Sequence, residues 1–89
     1  FHHNGRLVLV NALYVDTYGG LDKAKEWSAR GKAFRYRLEE GKIVPRENID
    51  LVFVADGFWK TKAIKRLQNG GWTVTSPSSF PNVIRRILS

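Results

Sequence analysis

The chain has 89 residues, enough for one domain (1–89) but too few for two ordinary hydrophobic cores. Fifteen Lys and Arg against eight Asp and Glu give a net charge of +7, so we expect a polyanionic partner, either nucleic acid or an acidic membrane surface, and favour nucleic acid. The absence of cysteine excludes disulfides and thiolate metal sites and fits a cytoplasmic location, and no apolar run approaches the ~20 residues that span a bilayer.

The first predicted strand runs from Arg6 to Thr17 and is rich in Val, Leu and Tyr, as in a strand covered on both faces. Gly19 and Gly20 end it, and Asp22 can cap a helix that runs to Glu39. Glycine within a helix costs ~1 kcal/mol relative to alanine, so Gly31 predicts a close approach of this helix to the sheet. The apolar stripe of the helix consists of Ala24, Trp27, Gly31, Phe34 and Leu38.

The second half of the chain repeats the alternation of strand and helix. After a predicted loop (40–49), a buried strand runs from Asp50 to Ala55 and ends in the turn pair Asp56-Gly57. A helix from Phe58 to Asn69, a strand from Trp72 to Ser76 and a short helix from Ser79 to Leu88 follow. This β-α-β-α-β-α order predicts an α/β fold with a mainly parallel sheet, completed by strands from a segment outside this chain or from a partner.

Two acids lie at the carboxyl ends of predicted strands. Ligands of parallel α/β sheets bind beyond the carboxyl ends of the strands, so Asp16 and Asp56 could together hold a hard divalent cation. Asp-Gly is a common turn pair, and we therefore interpret Asp56 as a turn residue. Asp16 can be a metal ligand or an acid that merely starts a turn.

Three stretches of the chain resemble the later half of PD-(D/E)xK nuclease domains, restriction endonucleases and Type IIS cleavage domains in particular. They are "YVDT…GG…KAKEWSARGKAFRYRLEE", "IDLVFVADGFW" and "GGWTVTSPSSFPNVI", and the likeness covers about residues 8 to 88. In that family an acid-x-Lys motif lies on a central strand and a long helix follows it. The resemblance implies a restriction-endonuclease-like fold that hydrolyses DNA phosphodiester bonds with Mg²⁺.

Carried onto this chain, the resemblance makes Asp16 the catalytic, metal-binding acid of the acid-x-Lys element. Position 18 is Tyr where the family has Lys, so Lys23 or Lys25 would act as the catalytic lysine from the start of the helix. No Asp or Glu lies between Phe1 and Val15, where the first acid of the motif belongs. That acid would lie on a segment outside this chain, or else the domain is inactive.

Basic residues form rows on both predicted long helices. Lys23, Arg30 and Arg37 recur every seven residues, and Lys25 and Lys32 are expected to form an adjoining row. Contacts with phosphate need only positive donors, although a solvated helix face would carry the same residues. The predicted nucleic-acid-binding residues are Arg30, Lys32, Arg37, Lys60, Lys62, Lys65 and Arg66.

We therefore expect the DNA-binding domain of a Mg²⁺-dependent endonuclease, acting on double-stranded DNA as a homodimer or with a missing segment of the same protein. One alternative is a non-catalytic basic α/β module that binds nucleic acid or a protein partner. Another is a different α/β enzyme, such as a phosphoryl-transfer domain. Tyr18 and Trp59 lie beside glycines and are candidates for stacking on a base. We interpret His2-His3 as terminal residues and not as a metal pair.

Overall fold

The computed structural model describes residues 1–41 and 44–89, and its elements follow the predicted alternation from Arg6 onward. The predicted α/β fold is confirmed, and the predicted loop 40–49 falls in part on residues 42 and 43, outside the described residues. The elements are β1 (His2–His3), β2 (Arg6–Gly19), α1 (Leu21–Glu40), a 3-10 turn (Arg46–Asn48), β3 (Ile49–Trp59), α2 (Thr61–Asn69), β4 (Thr73–Thr75) and α3 (Phe80–Leu88).

The four strands form one sheet in the order β1-β2-β3-β4. β2 pairs in parallel with β3 from Leu7↔Ile49 to Val15↔Gly57, and β3 pairs in parallel with β4. Among the strands of the described residues, only the short β1, which the sequence did not predict, runs antiparallel to its neighbour. The predicted mainly parallel sheet is thus confirmed. Along the paired part of β2 and β3, odd-numbered and even-numbered residues lie on opposite faces.

The main core lies between the sheet and the helices α1 and α2. Its centre is Phe53, whose ring meets those of Trp59, Trp72 and Trp27 edge-on, with centroids 5.5, 5.4 and 6.2 Å away. Leu51 is buried in the same cluster, and Ile64 packs against it. Edge-on aromatic pairs add about 0.5–1.5 kcal/mol beyond the area they bury.

The helix α3 covers the opposite face of the sheet, near the amino ends of β2 and β3. There Val83 packs on Val8 of β2 and Val52 of β3. Beside them Arg6 bridges to Asp50, with Nε 2.9 Å from Oδ2 and Nη2 3.1 Å from Oδ1, and the carboxylate raises the pKa of the guanidinium above its ordinary value.

None of the helices in the described residues is both long and apolar enough to cross a bilayer.

Local predictions fail where tertiary packing decides the conformation. Asp22 is not the cap of α1, because the chain enters the helix through Gly20 at φ 85° and Asp22 lies in the first turn. Asp56 and Gly57 do not form a turn but lie inside β3, which continues to Trp59, so α2 begins only at Thr61. Phe34, expected in the apolar stripe of α1, is 37% exposed.

Gly31 of α1 does permit a close approach, but to a side chain and not to the sheet. A Cβ at this position would meet the indole Nε1 of Trp72. That nitrogen donates a 2.8 Å hydrogen bond to the backbone carbonyl of Trp27, one turn earlier in α1. The indole is therefore held against the helix backbone, and only a glycine leaves room for it.

Candidate nucleic-acid interface

The outer face of α2 is a cationic surface with no acid in it. Ala63 and Leu67 are fully buried and fix the orientation of the helix, so its outer face carries the exposed side chains of Lys62, Lys65 and Arg66. None of these three forms an ion pair within the described part of the chain. Their charges are therefore not neutralised by neighbouring acids. We call these three residues the α2 basic face.

The two basic rows of α1 lie on opposite flanks of the helix, and the prediction that they adjoin is wrong. Ser28 and Arg35 face the end of α2: Gly70 packs on Ser28, and Nη2 of Arg35 lies 3.4 Å from the carbonyl oxygen of Gly71. Lys25 and Lys32 each precede one of these residues by three positions, which places them on the same flank. A helix turns ~100° per residue, so the other row lies roughly 160° away.

That other row of α1 consists of Lys23, Arg30 and Arg37, and part of its charge is already engaged. Nη2 of Arg30 lies 3.1 Å from a carboxylate oxygen of Glu26, and its guanidinium carbon lies 4.7 Å from the centre of the Trp27 ring. Lys23 Nζ lies 3.9 Å from the other oxygen of Glu26. These exposed ion pairs add little to the stability of the fold, but they reduce the positive electrostatic potential on this flank of α1.

Asp16 lines an open concavity between the end of β2 and the start of α1. The register of β2 against β3 shifts between Val15 and Gly19, which turns this end of the strand away from its regular path. The concavity measures about 430 Å³, and its polar lining includes Asp16, Asp22 and Lys23. The structure therefore brings together Asp16 and Lys23, whereas Lys25, the other lysine proposed for catalysis, does not line this space.

The described residues do not complete a metal site around Asp16. No group of three or more His, Asp or Glu side chains suited to hold a metal ion occurs in them. Asp56 pairs in register with Tyr14, two residues before Asp16, and it does not line the concavity. His2 and His3 are exposed on β1, and Nε2 of His3 lies 3.2 Å from the side-chain amide nitrogen of Asn4.

Exposed aromatic side chains mark the carboxyl end of the sheet. Tyr18 is 69% exposed, and Nζ of Lys60 lies 5.4 Å from the centre of its ring. Trp59, the other predicted stacking residue, is instead buried in the core, where its Nε1 donates a 2.9 Å hydrogen bond to the Asp56 carbonyl. Phe58 and Tyr14 are 57% and 60% exposed, and the sequence analysis did not single them out.

Comparison of the chain with protein-family models, with curated proteins and with solved structures gives no significant match. The likeness to PD-(D/E)xK nucleases therefore depends on the short motifs themselves.

Proposed function

We propose that this domain binds double-stranded DNA through the α2 basic face together with Lys25 and Lys32 of α1. The observation that carries the proposal is that the α2 basic face contains no acid and, among the described residues, has no ion-pair partner, in a chain whose net charge is +7. Cations that have no acidic partner are available to replace the counterions of a phosphate backbone. Since such contacts read charge and not base edges, binding is expected to be largely independent of sequence.

The flank of α1 that faces α2 extends this surface. Lys25 and Lys32 lie on that flank and, in the described part of the chain, have no ion-pair partner. The contact of Ser28 with Gly70 holds the two helices together at this point. Lysines on one rigid helix can therefore act together with cations on the next.

A pair of triple variants tests the proposal. Replacement of Lys62, Lys65 and Arg66 by Ala should weaken binding to duplex DNA and lower the slope of log K against log salt by up to about 2.7, at about 0.9 per lost phosphate contact. The matched control replaces Lys23, Arg30 and Arg37 by Ala, which removes the same formal charge from the other flank. We expect a smaller change in slope for the control. Equal changes in both variants would show that only net charge matters and that no particular face binds.

We propose metal-dependent cleavage of phosphodiester bonds as a second function, for a protein that supplies the missing acid. One observation favours it: Asp16 and Lys23 line the same concavity at the carboxyl end of a parallel strand. Asp16 would be one carboxylate ligand of Mg²⁺, and Lys23 would position the attacking water. The carboxyl groups of the described residues do not complete the ligand set of the metal. The 89-residue chain by itself is therefore expected to bind DNA without cutting it in Mg²⁺.

A further inference from the structure

The outer edge of β2 is a long unpaired strand edge. On one side β2 pairs with β3 along most of its length, whereas on the other side β1 pairs only with Arg6 and Leu7. Backbone hydrogen bonds between Phe1 and Val8 extend this pairing by one residue pair, called here the Phe1 rung. Within residues 1–41 and 44–89 no strand pairs with this edge from Leu9 to Gly19. Such an edge is a template for pairing with another strand.

The Phe1 rung shows which backbone groups of β2 point outward. The N–H of Val8 donates to the carbonyl of Phe1 at 2.7 Å, and the amino group of Phe1 donates to the carbonyl of Val8 at 2.6 Å. Backbone groups alternate in direction along a strand, so those of Val10, Ala12 and Tyr14 point outward too. Because no strand of the described residues pairs with them, their donors and acceptors are open to an antiparallel strand.

This edge lacks the features that usually prevent strands from pairing. No charged residue and no proline occurs from Leu7 to Val15. Val10 and Tyr14, on one face of this segment, are 42% and 60% exposed. The edge is therefore uncharged, and it carries exposed apolar and aromatic side chains that a second strand could cover.

We propose that a second copy of this chain pairs antiparallel with the outer edge of β2, about a two-fold axis at Ala12. In this register Ala12 lies opposite Ala12 of the second copy, and Val10 lies opposite Tyr14. An aromatic residue opposite a β-branched one is a favourable cross-strand pair, and the symmetry repeats it. The segment is thus complementary to itself, as a two-fold interface requires.

The structure also limits how far this pairing extends. In the proposed register Val8 would face Asp16 of the second copy, and that place is already taken by Phe1. The regular path of β2 ends after Val15, where its register against β3 shifts. The second strand therefore leaves the sheet just before it reaches Phe1. Pairing covers the rungs at Val10, Ala12 and Tyr14 and stops there.

Cysteine cross-linking tests the register, because the chain has no cysteine of its own. Cα atoms of directly opposed, hydrogen-bonded residues are ~5.5 Å apart, within the range of a disulfide. Ala12→Cys should give most of the chain as a disulfide-linked dimer under mild oxidation. Ala29→Cys, at another exposed alanine, on α1, is the matched control and should stay largely monomeric. Equal cross-linking of both variants, or none at Ala12→Cys, would overturn the proposal.

Sedimentation equilibrium of the unmodified chain adds an independent readout. We expect a dimer whose association strengthens with salt, because salt screens the repulsion between two chains of +7, the opposite of the salt dependence of DNA binding. Ala12→Pro removes an outward N–H and should give a monomer, whereas Ala12→Thr keeps the N–H and should remain dimeric. If the wild-type chain stays monomeric at all concentrations, the proposal that a second copy pairs with β2 is refuted. This holds whether another protein strand binds β2 or none does.

Discussion

Gly31→Ala should destabilise the domain although alanine is the better helix former. The helix propensity of Ala would by itself add ~1 kcal/mol of stability. The new Cβ, however, would press on the Trp72 indole, which is 4% exposed and hydrogen-bonded to Trp27. Overpacking costs about 1–3 kcal/mol, and an indole N–H that loses its acceptor costs about 1–3 kcal/mol more. The net loss is therefore about 1–5 kcal/mol.

Thermal unfolding followed by circular dichroism measures this loss. In a domain of this size ~1 kcal/mol shifts Tm by about 4–8 °C, so Gly31→Ala should lower Tm by at least several degrees. Ala29→Gly, at an exposed position of the same helix, is the control and should lose only ~1 kcal/mol. In a Trp72→Phe background, where the indole nitrogen is absent, Gly31→Ala should cost much less. A rise in Tm for Gly31→Ala in the wild-type background would refute the α1–Trp72 packing.

The remaining predictions concern the core and the concavity. Phe53→Ala should cost roughly 3–5 kcal/mol, because it removes the ring on which the aromatic core is centred, and a cooperative melt near the wild-type Tm would contradict this. Asp16→Ala should tighten DNA binding slightly in EDTA, because the Asp16 carboxylate repels phosphate. Anisotropy titrations of this variant, with Asp22→Ala measured for comparison, would check the prediction. In a longer chain that cuts DNA with Mg²⁺, the same change should abolish cleavage, and undiminished cleavage would exclude Asp16 as a ligand.

The order of the elements could be predicted because each buried strand and each amphipathic helix has its own period of apolar residues. Asp56-Gly57 shows where such local reasoning ends. As a dipeptide it is a turn signal, but here Gly57, at φ 90°, lies so close to β2 that a Cβ would meet the Val15 carbonyl oxygen. Pairing with β2 therefore keeps the dipeptide inside β3. Trp59 consequently packs in the core, while Phe58 is left exposed at the carboxyl end of the sheet.

The candidate site was predictable in its residue types and not in its arrangement. The seven-residue spacing of Lys23, Arg30 and Arg37 correctly puts them on one flank of α1. Which flank faces α2 depends on the contact of Ser28 with Gly70, which joins residues distant in sequence. The ion pairs of Glu26 with Lys23 and Arg30 likewise depend on side-chain rotamers, which the spacing of residues in the sequence does not determine.

NMR mapping of a DNA titration tests the central claim most directly. An 89-residue chain gives resolvable backbone amides, and duplex DNA can be added stepwise at low salt. We predict the largest shift changes along α2, at Thr61–Asn69, and at Lys25 and Lys32, with reversal as salt is raised. Changes confined to α3 or to the flank of Lys23 and Arg37, or no change at all, would contradict the account.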